Sequence, residues 1–121
     1  FYAEPALREQ MSQGHEFFIA ELNSEPVGFS SFGHGHTVGT YKIHKLYVHP
    51  MVQGKGVGKK LIAWIIGEIR NNDAVAVRLN VNRHNPARFF YEKSGFMVTG
   101  EEDIAIGEGY FMSDYVMEKK L

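Results

Sequence analysis

Apolar and polar residues follow strand-like patterns in the first half of the chain. Apolar and aromatic residues dominate positions 16–22 and 26–32, and turn formers separate the two runs at 23–25, so we expect a β-hairpin. Positions 33–40 hold three glycines and two histidines without periodicity, which is typical of a loop. Residues 42–48 predict a third strand that a following His-Pro pair ends, because proline donates no ladder hydrogen bond and restricts the residue before it.

Helical spacing and helix-ending residues mark three further segments. Over 59–71 apolar residues recur with the helical period, which predicts a broad buried face. That face consists of Leu61, Ile62, Ile65, Ile66 and Ile69, with Trp64 beside them. Residues 4–13 carry a proline early and a glycine just after them, as expected of a short exposed helix. Asn85 and Pro86 fit the cap and first turn of a helix that runs to Ser94 and is closed by a glycine.

Strand patterns dominate the last third of the chain. Positions 75–81 alternate between apolar and polar residues, which predicts a half-buried strand. Residues 96–99 and 110–117 predict two more strands, and we expect the segment 100–109 between them to form an acidic loop. The order of elements predicts an α/β (α+β) fold, in which helices pack on a mixed sheet. A length of 121 residues is typical of one domain, so we expect residues 1–121 to form a single domain.

Composition and charge exclude several classes of protein. Hydrophobic residues make up 44% of the chain and charged residues 22%, which excludes a disordered tail, a collagen-like repeat and a membrane bundle. The 13 Lys and Arg residues against 14 Asp and Glu residues give a net charge of −1, so no overall positive field favours a nucleic-acid partner. No apolar stretch approaches the roughly 20 residues that span a bilayer, and we expect no membrane partner. The absence of cysteine excludes a thiol nucleophile and fits a cytoplasmic protein.

The sequence QGKGVG at residues 53–58 carries the strongest chemical signal. Its glycines let the backbone adopt conformations that other residues avoid and let a ligand approach the main chain. The first turn of the predicted helix that follows offers amides without intrahelical partners and the positive end of the helix dipole, so the segment predicts a phosphate-binding site. The spacing fits neither a Walker loop nor the G-x-G-x-x-G motif of dinucleotide-binding folds. A glycine turn that serves only tight packing is the alternative.

Three segments together resemble one known family. QGKGVG fits the Q/R-x-x-G-x-G/A acyl-CoA signature of the GCN5-related N-acetyltransferases (GNAT), and the preceding KIHKLYVHP resembles the family's fourth strand. The segment NPARFFYEKSGF at residues 85–96 resembles the family's second motif. The resemblance begins near residue 16, and we expect the family's first strand and first helix to be absent and the domain to be amino-terminally incomplete. The ending GYFMSDYVMEKKL resembles a bacterial branch that includes spermine/spermidine acetyltransferases of the PaiA type.

The resemblance implies a GNAT acyl-CoA N-acyltransferase fold, with a mixed, mostly antiparallel sheet flanked by helices, and a binding site for acetyl-CoA. In this family the loop amides hold the pyrophosphate, and the backbone of the fourth strand pairs with the pantetheine arm. The residues that these roles match are Leu46, Tyr47, Val48, Gln53, Gly54, Lys55, Gly56, Val57, Gly58 and Lys59. The resemblance also makes Asn85 a ligand contact, although the helix-cap role alone explains an asparagine there.

The resemblance further supplies two candidate proton-transfer groups. It implies that Tyr91 aims its phenol at the sulfur of CoA, where a group with a pKa of about 10 can donate a proton to the leaving thiolate. A core aromatic is the alternative for Tyr91. His44 corresponds to a histidine of arylalkylamine-type relatives and is the candidate base, with a structural histidine as the alternative. We expect a backbone amide near Tyr47 to stabilise the developing oxyanion.

Two other clusters of polar residues carry weaker expectations. His34 and His36 have the spacing of metal ligands, but no third ligand with fitting spacing stands near them, and we expect no metal site. The acidic residues Glu101, Glu102, Asp103 and Glu108 have enough negative charge to attract a cationic amine. We interpret them instead as a solvated loop.

These observations predict an acetyl-CoA-dependent N-acetyltransferase. The acetyl group is expected to pass directly to a primary amine, either a small molecule or a polyamine, because the chain has no cysteine to carry it. A non-catalytic acyl-CoA-binding or sensing module is the main alternative, and an adaptor without a ligand is another. The identity of the amine stays open, as does the oligomeric state, for which a homodimer is one expectation.

Overall fold

The computed structural model describes residues 15–121. Its sheet has six strands in the order β1-β2-β3-β4-β6-β5. The strands are β1 (Glu16–Leu22), β2 (Glu25–His34), β3 (Thr40–Val48), β4 (Ala76–Asn82), β5 (Met97–Gly107) and β6 (Tyr110–Lys120). Two helices, α1 (Val57–Arg70) and α2 (Ala87–Lys93), and a 3-10 turn at Pro50–Val52 complete the described part. The expected mixed fold is confirmed, whereas the helix predicted over 4–13 lies outside the described residues.

Strand directions follow from the connections between the strands. β1 and β2 form the predicted antiparallel hairpin, and its turn residues Asn23 and Ser24 have φ values of 53° and 66°. Positive φ at both positions is the geometry whose twist matches that of a hairpin. β3 and β4 run parallel, since the helix α1 connects them. β4, β6 and β5 are joined by antiparallel pairs, so the sheet is mixed and mostly antiparallel.

The core lies between α1 and the sheet. All five residues of the predicted apolar helix face are buried in α1. Four of them pack in one cluster with residues of the strands, among them Phe32, Ile43, Val77, Leu79 and Met117, and these four are Ile62, Ile65, Ile66 and Ile69. Burying one such side chain contributes about 1.5–3 kcal/mol, so the position of α1 over β1, β2 and β3, which it contacts, is firmly held. The glycine-rich segment that precedes α1 is thereby fixed at the end of β3.

The strands β3 and β4 separate part of the way along their length. Their last ladder pair is Lys42 with Arg78, although β3 continues to Val48. On its other side β3 carries a bulge, since two consecutive residues of β2 pair with Lys45 and Ile43 and leave His44 as the extra residue. A bulge bends a strand and increases its twist. The bulge lies just past the last pair, and the two strands therefore diverge around an opening in the middle of the sheet.

One predicted segment is wrong, and several boundaries move. Residues 100–109 were expected to form a loop, but β5 runs through them to Gly107 and pairs with β6 along this length. β5 is an edge strand, where charged side chains are common because they discourage pairing with another chain. Charge in this segment therefore does not signal a loop. The loop predicted over 33–40 is also shorter, because β2 continues to His34 and β3 begins at Thr40.

Membrane-spanning helices are not found in the described part of the chain. No helix within residues 15–121 combines the length and the hydropathy that a bilayer crossing requires.

Candidate active site

The glycine-rich segment forms an open turn in front of α1. Gly54 and Gly56 have φ values of 83° and 79°, and nothing lies within 4 Å of a Cβ placed on either residue. The side-chain amide of Gln53 donates a hydrogen bond to the carbonyl of Val48 over 3.3 Å, which ties the turn to the end of β3. Gly56 caps α1 without a side-chain hydrogen bond. The amides of the first helical turn are therefore left without a side-chain acceptor from the cap.

A cavity of about 510 Å³ adjoins this turn, between the end of β3, the start of α1 and α2. We call it the loop cavity. Of the eleven residues that the resemblance assigns to acetyl-CoA, eight line it, namely Leu46, Val48, Gln53, Gly54, Gly56, Val57, Gly58 and Lys59. Val52, Ala87 and Phe90 line it as well and were not predicted. An added Cβ on Gly58 would lie 3.3 Å from the ring of Phe90, so glycine there lets α2 approach α1.

Three of the assigned residues lie elsewhere. The side chain of Lys55 lines a separate cavity beside Trp64, between β1 and α1, and not the loop cavity. The amide of Lys55 donates to the carbonyl of Val52 over 3.2 Å and is therefore already engaged. Tyr47 and Asn85 line a third cavity, which lies at the opening between β3 and β4. The structure thus divides the assigned residues between different cavities.

That third cavity, which we call the strand cavity, has a volume of about 480 Å³. It occupies the opening between β3 and β4, and its polar lining includes His44, Asn80, Asn85, Tyr91 and Asp114. These residues come from β3, β4, the start of α2, α2 itself and β6. The separation of the strands therefore gathers polar side chains from distant parts of the sequence.

Tyr91 lines both cavities. Its ring packs edge-on against Phe90, with a centroid distance of 5.3 Å, and against Phe96 at 5.9 Å. Burial raises the pKa of the Tyr91 phenol above its usual 10.0, so the phenol is protonated near neutral pH and can donate a proton. Phe89, in contrast, is 57% exposed. The packing and the position of Tyr91 are thus compatible, and the core-aromatic alternative does not exclude a role in the site.

His44 occupies the bulge at the edge of the strand cavity. Its ring stacks on that of His15 with a centroid distance of 4.0 Å. Burial, followed by the nearby His15 and Lys42, lowers the pKa of His44 from 6.5 to about 4. The imidazole is therefore neutral at physiological pH and can accept a proton, but it is a weaker base than an ordinary histidine.

Asn85 caps the start of α2, as predicted. Its Oδ1 accepts a hydrogen bond of 2.9 Å from the amide of Ala87. The same side chain lines the strand cavity. Capping and a contact with a ligand in the strand cavity are geometrically compatible.

A cluster of polar side chains that the sequence did not predict lies at the strand cavity, which two of its members, Asn80 and Asp114, line. The side-chain amide of Asn80 donates to Glu102 Oε2 over 2.9 Å and to Asp114 Oδ2 over 3.4 Å. Asp114 is only 4% exposed. An aspartate within a strand is a signal that sequence analysis can use, because aspartate disfavours strands. Glu102 was considered in the sequence as part of an acidic stretch that could attract an amine, but the segment was interpreted as a solvated loop.

The histidine-rich loop lies apart from both cavities. His34 packs its ring against Tyr41 with a centroid distance of 4.6 Å, and His36 lines another cavity with it. Within residues 15–121 no group of three or more His, Cys, Asp or Glu side chains is placed to hold a metal ion.

Comparisons with known proteins agree with this geometry. The family model of the acetyltransferase (GNAT) domain matches residues 1–119. The L-amino acid N-acyltransferase MnaT of Escherichia coli is 32% identical over 92 residues, which cover 73% of this chain and 54% of that protein. The chain therefore spans about half the length of this curated relative.

Solved structures show the same fold. Ard1 from Thermoplasma volcanium matches with a TM-score of 0.85 and 20% identity, over 100% of this chain and 81% of that one. The PaiA N-acetyltransferase from Thermoplasma acidophilum, in complex with coenzyme A, matches with a TM-score of 0.72 and 26% identity, over the same shares. With a family model that matches nearly the whole sequence, the chain belongs to the GNAT acetyltransferase family.

Proposed function

We propose that the chain transfers the acetyl group of acetyl-CoA directly to a primary amine. One observation carries this proposal: Tyr91 stands where two cavities meet. The loop cavity on one side is bounded by an open glycine turn and a helix start. The strand cavity on the other side is bounded by His44 and the polar residues of β4 and β6. This arrangement suits a reaction that brings two substrates together at one proton donor.

The residues of the loop cavity fit acetyl-CoA. The space over Gly54 and Gly56 is open where any Cβ would stand, and helix-start amides favour an anion such as a diphosphate. In the proposal the amides of the two glycines and of the first helical turn hold the diphosphate, and Leu46 and Val48 of β3 flank the pantetheine arm. We leave Lys55 out, because its amide is engaged and its side chain lines another cavity. When bound, acetyl-CoA supplies an activated acetyl thioester.

Two side chains of the site handle protons in this proposal. The protonated phenol of Tyr91 donates to the leaving sulfur, and its raised pKa keeps that proton available at neutral pH. The neutral imidazole of His44 accepts a proton from the attacking amine. Because its pKa is about 4, His44 contributes less as a base than a histidine that titrates near the working pH. The oxyanion role of an amide near Tyr47 stays a prediction.

The acceptor is proposed as a primary amine, either a small molecule or a polyamine. The E. coli relative is named as an L-amino acid N-acyltransferase. The PaiA structure belongs to the branch that the carboxyl-terminal sequence resembles and that includes spermine/spermidine acetyltransferases. The two relatives therefore point to different amines. A cytoplasmic location and a homodimer also stay predictions, and light scattering on the full chain tests the latter.

Coenzyme binding is tested first. At CoA concentrations about 100 times its Kd, we expect the free energy of unfolding to rise by about 2.7 kcal/mol, seen as a higher Tm. Pantetheine, which lacks the diphosphate, serves as the control and should give a smaller shift at equal concentration. No shift with saturating CoA would contradict the proposal.

Catalysis is tested separately, with acetyl-CoA and a panel of primary amines and with detection of the released thiol. Thiol release that depends on both the amine and Tyr91 is the expected result. A chain that binds CoA but acetylates no amine would instead favour the acyl-CoA-binding module.

A further inference from the structure

Asp114 lines the strand cavity and has one buried oxygen without a hydrogen-bond partner. The residue lies on β6, is 4% exposed, and lines the cavity. Its Oδ2 accepts the weak hydrogen bond from Asn80, whereas its Oδ1 has no hydrogen-bond partner. A buried carboxylate oxygen that lacks a donor is costly. The orphan oxygen is therefore a place where a bound ligand can supply a donor.

The side-chain amide of Asn80 joins the carboxylates of Glu102 and Asp114. Its Nδ2 lies between Glu102 Oε2 and Asp114 Oδ2, and only the amide nitrogen can donate to two carboxylates. One neutral amide thus serves two carboxylates. Neither carboxylate gains a positive charge from this contact.

The arginines near this cluster form ion pairs with other carboxylates. Arg78 pairs with Glu118 over 3.0 Å, and Arg83 pairs with Glu101 over 3.5 Å. Lys45 lines the same cavity, yet no Lys, Arg or His among residues 15–121 forms an ion pair with Glu102 or Asp114. Neither carboxylate therefore has an ion-pair partner among the described residues, and Asp114 is the one that lines the strand cavity.

The strand cavity also holds the candidate proton-transfer groups. His44 and Tyr91 line it together with apolar side chains such as Phe29 and Met112. The strand that carries His44, β3, and the strand that carries Asp114, β6, lie on opposite sides of β4. An ammonium that stays bound to a carboxylate keeps its proton and is not a nucleophile. The nitrogen that reacts beside His44 must therefore be a different one from the nitrogen held at Asp114.

We propose that Asp114, with Glu102 and Asn80, binds a second cationic group of the acceptor, so that the amine substrate is a diamine or a similarly dicationic compound. This inference rests on the proposed function. The apolar lining suits the methylene chain between the two nitrogens. An L-amino acid fits poorly, because its carboxylate adds a negative charge to a cavity in which Asp114 already lacks a cationic partner.

The test compares 1,4-diaminobutane with 1-aminobutane, two acceptors that differ only in the second amine. With the full chain and saturating acetyl-CoA, kcat/KM is measured for both compounds and for L-leucine. We expect the diamine to exceed the monoamine at least about tenfold, in line with a hydrogen bond between charged groups. Asp114→Asn should bring this ratio close to one, mainly by raising KM for the diamine.

Two further variants keep the test decisive if Asp114→Asn folds poorly. Glu102→Gln changes an exposed side chain and should lower the diamine preference by a smaller factor, about threefold. Glu101→Gln, on the opposite face of β5 beside Arg83, is the matched control and should leave the ratio unchanged. Calorimetric titration of 1,4-diaminobutane into the chain with CoA present gives a readout without turnover, and Asp114→Asn should weaken this binding about tenfold.

Several outcomes would overturn the inference while leaving the proposed function intact. Equal kcat/KM for the two amines would do so, as would a better turnover of L-leucine than of the diamine. An Asp114→Asn variant that slows both amines equally would assign Asp114 to catalysis or structure instead. If no amine is acetylated, the proposed function fails, and the calorimetric titration alone then decides whether the dication site exists.

Discussion

The loop cavity is formed mainly by the main chain, and the strand cavity is formed mainly by side chains. The loop cavity depends on main-chain geometry, namely two glycines with positive φ and the start of a helix. The strand cavity depends on side chains from β3, β4, α2 and β6 that meet because two strands diverge. A main-chain site therefore tolerates most changes of side chain and fails when a glycine is replaced. A side-chain site behaves in the opposite way, and substitutions can separate the two.

Tyr91 belongs to both cavities, and its removal should have the largest effect. Tyr91→Phe keeps the packing against Phe90 and Phe96 but removes the proton donor, so kcat should fall about 100-fold or more. The affinity for CoA should stay within about twofold, because the loop cavity keeps its shape. Steady-state kinetics and calorimetry measure the two quantities. Tyr110→Phe, at an exposed position of β6, is the control and should leave kcat unchanged. An unchanged kcat for Tyr91→Phe would contradict the role of Tyr91 as the acid.

Replacement of a loop glycine should weaken coenzyme binding without touching the strand cavity. Gly56→Ala places a Cβ on a residue with a φ of 79°, which costs about 1–2 kcal/mol of backbone strain, and it fills space that the ligand needs. We expect the affinity for CoA to fall about tenfold and the preference among amines to stay the same. Thermal unfolding and calorimetry measure both effects.

Gly67→Ala provides the matched control for that substitution. Gly67 lies within α1, and nothing is within 4 Å of an added Cβ. Alanine there should raise the free energy of unfolding by up to about 1 kcal/mol and leave CoA binding unchanged. If both variants lost CoA affinity to the same degree, the turn would not be the binding element.

The contrast between the cavities also explains what sequence could predict. The glycine turn, the β1–β2 hairpin and the apolar face of α1 depend on neighbours within a few residues, and the structure confirms these elements. The cluster of Asn80, Glu102 and Asp114 depends on pairing between three strands. No local pattern encodes that pairing, and acidic residues on an edge strand resemble a loop in sequence. Only the structure brings the three together.

His44 gives the smallest expected effect and the sharpest test of the electrostatics of the strand cavity. Because its pKa in the folded chain is about 4, an unfolded chain binds a proton at His44 between pH 6.5 and 4 while the folded chain does not. The contribution of the neutral His44 ring to the free energy of unfolding is therefore complete above pH 6.5 and is lost as the pH falls toward 4. His44→Asn should remove this part of the pH dependence of the Tm. It should lower kcat/KM by less than about tenfold, since a base so weak contributes little.

The pKa of His44 can also be measured directly, by NMR titration of its ring protons. Lys42→Gln removes one of the neighbouring charges that lower this pKa, so the midpoint should move upward from about 4 in the variant. The partial burial of the ring and its contact with His15 remain, and the midpoint should therefore stay below 6.5. A wild-type midpoint near 6.5 would show that the ring is well solvated. His44 would then be an ordinary base, and the acid limb of kcat/KM would lie near neutral pH.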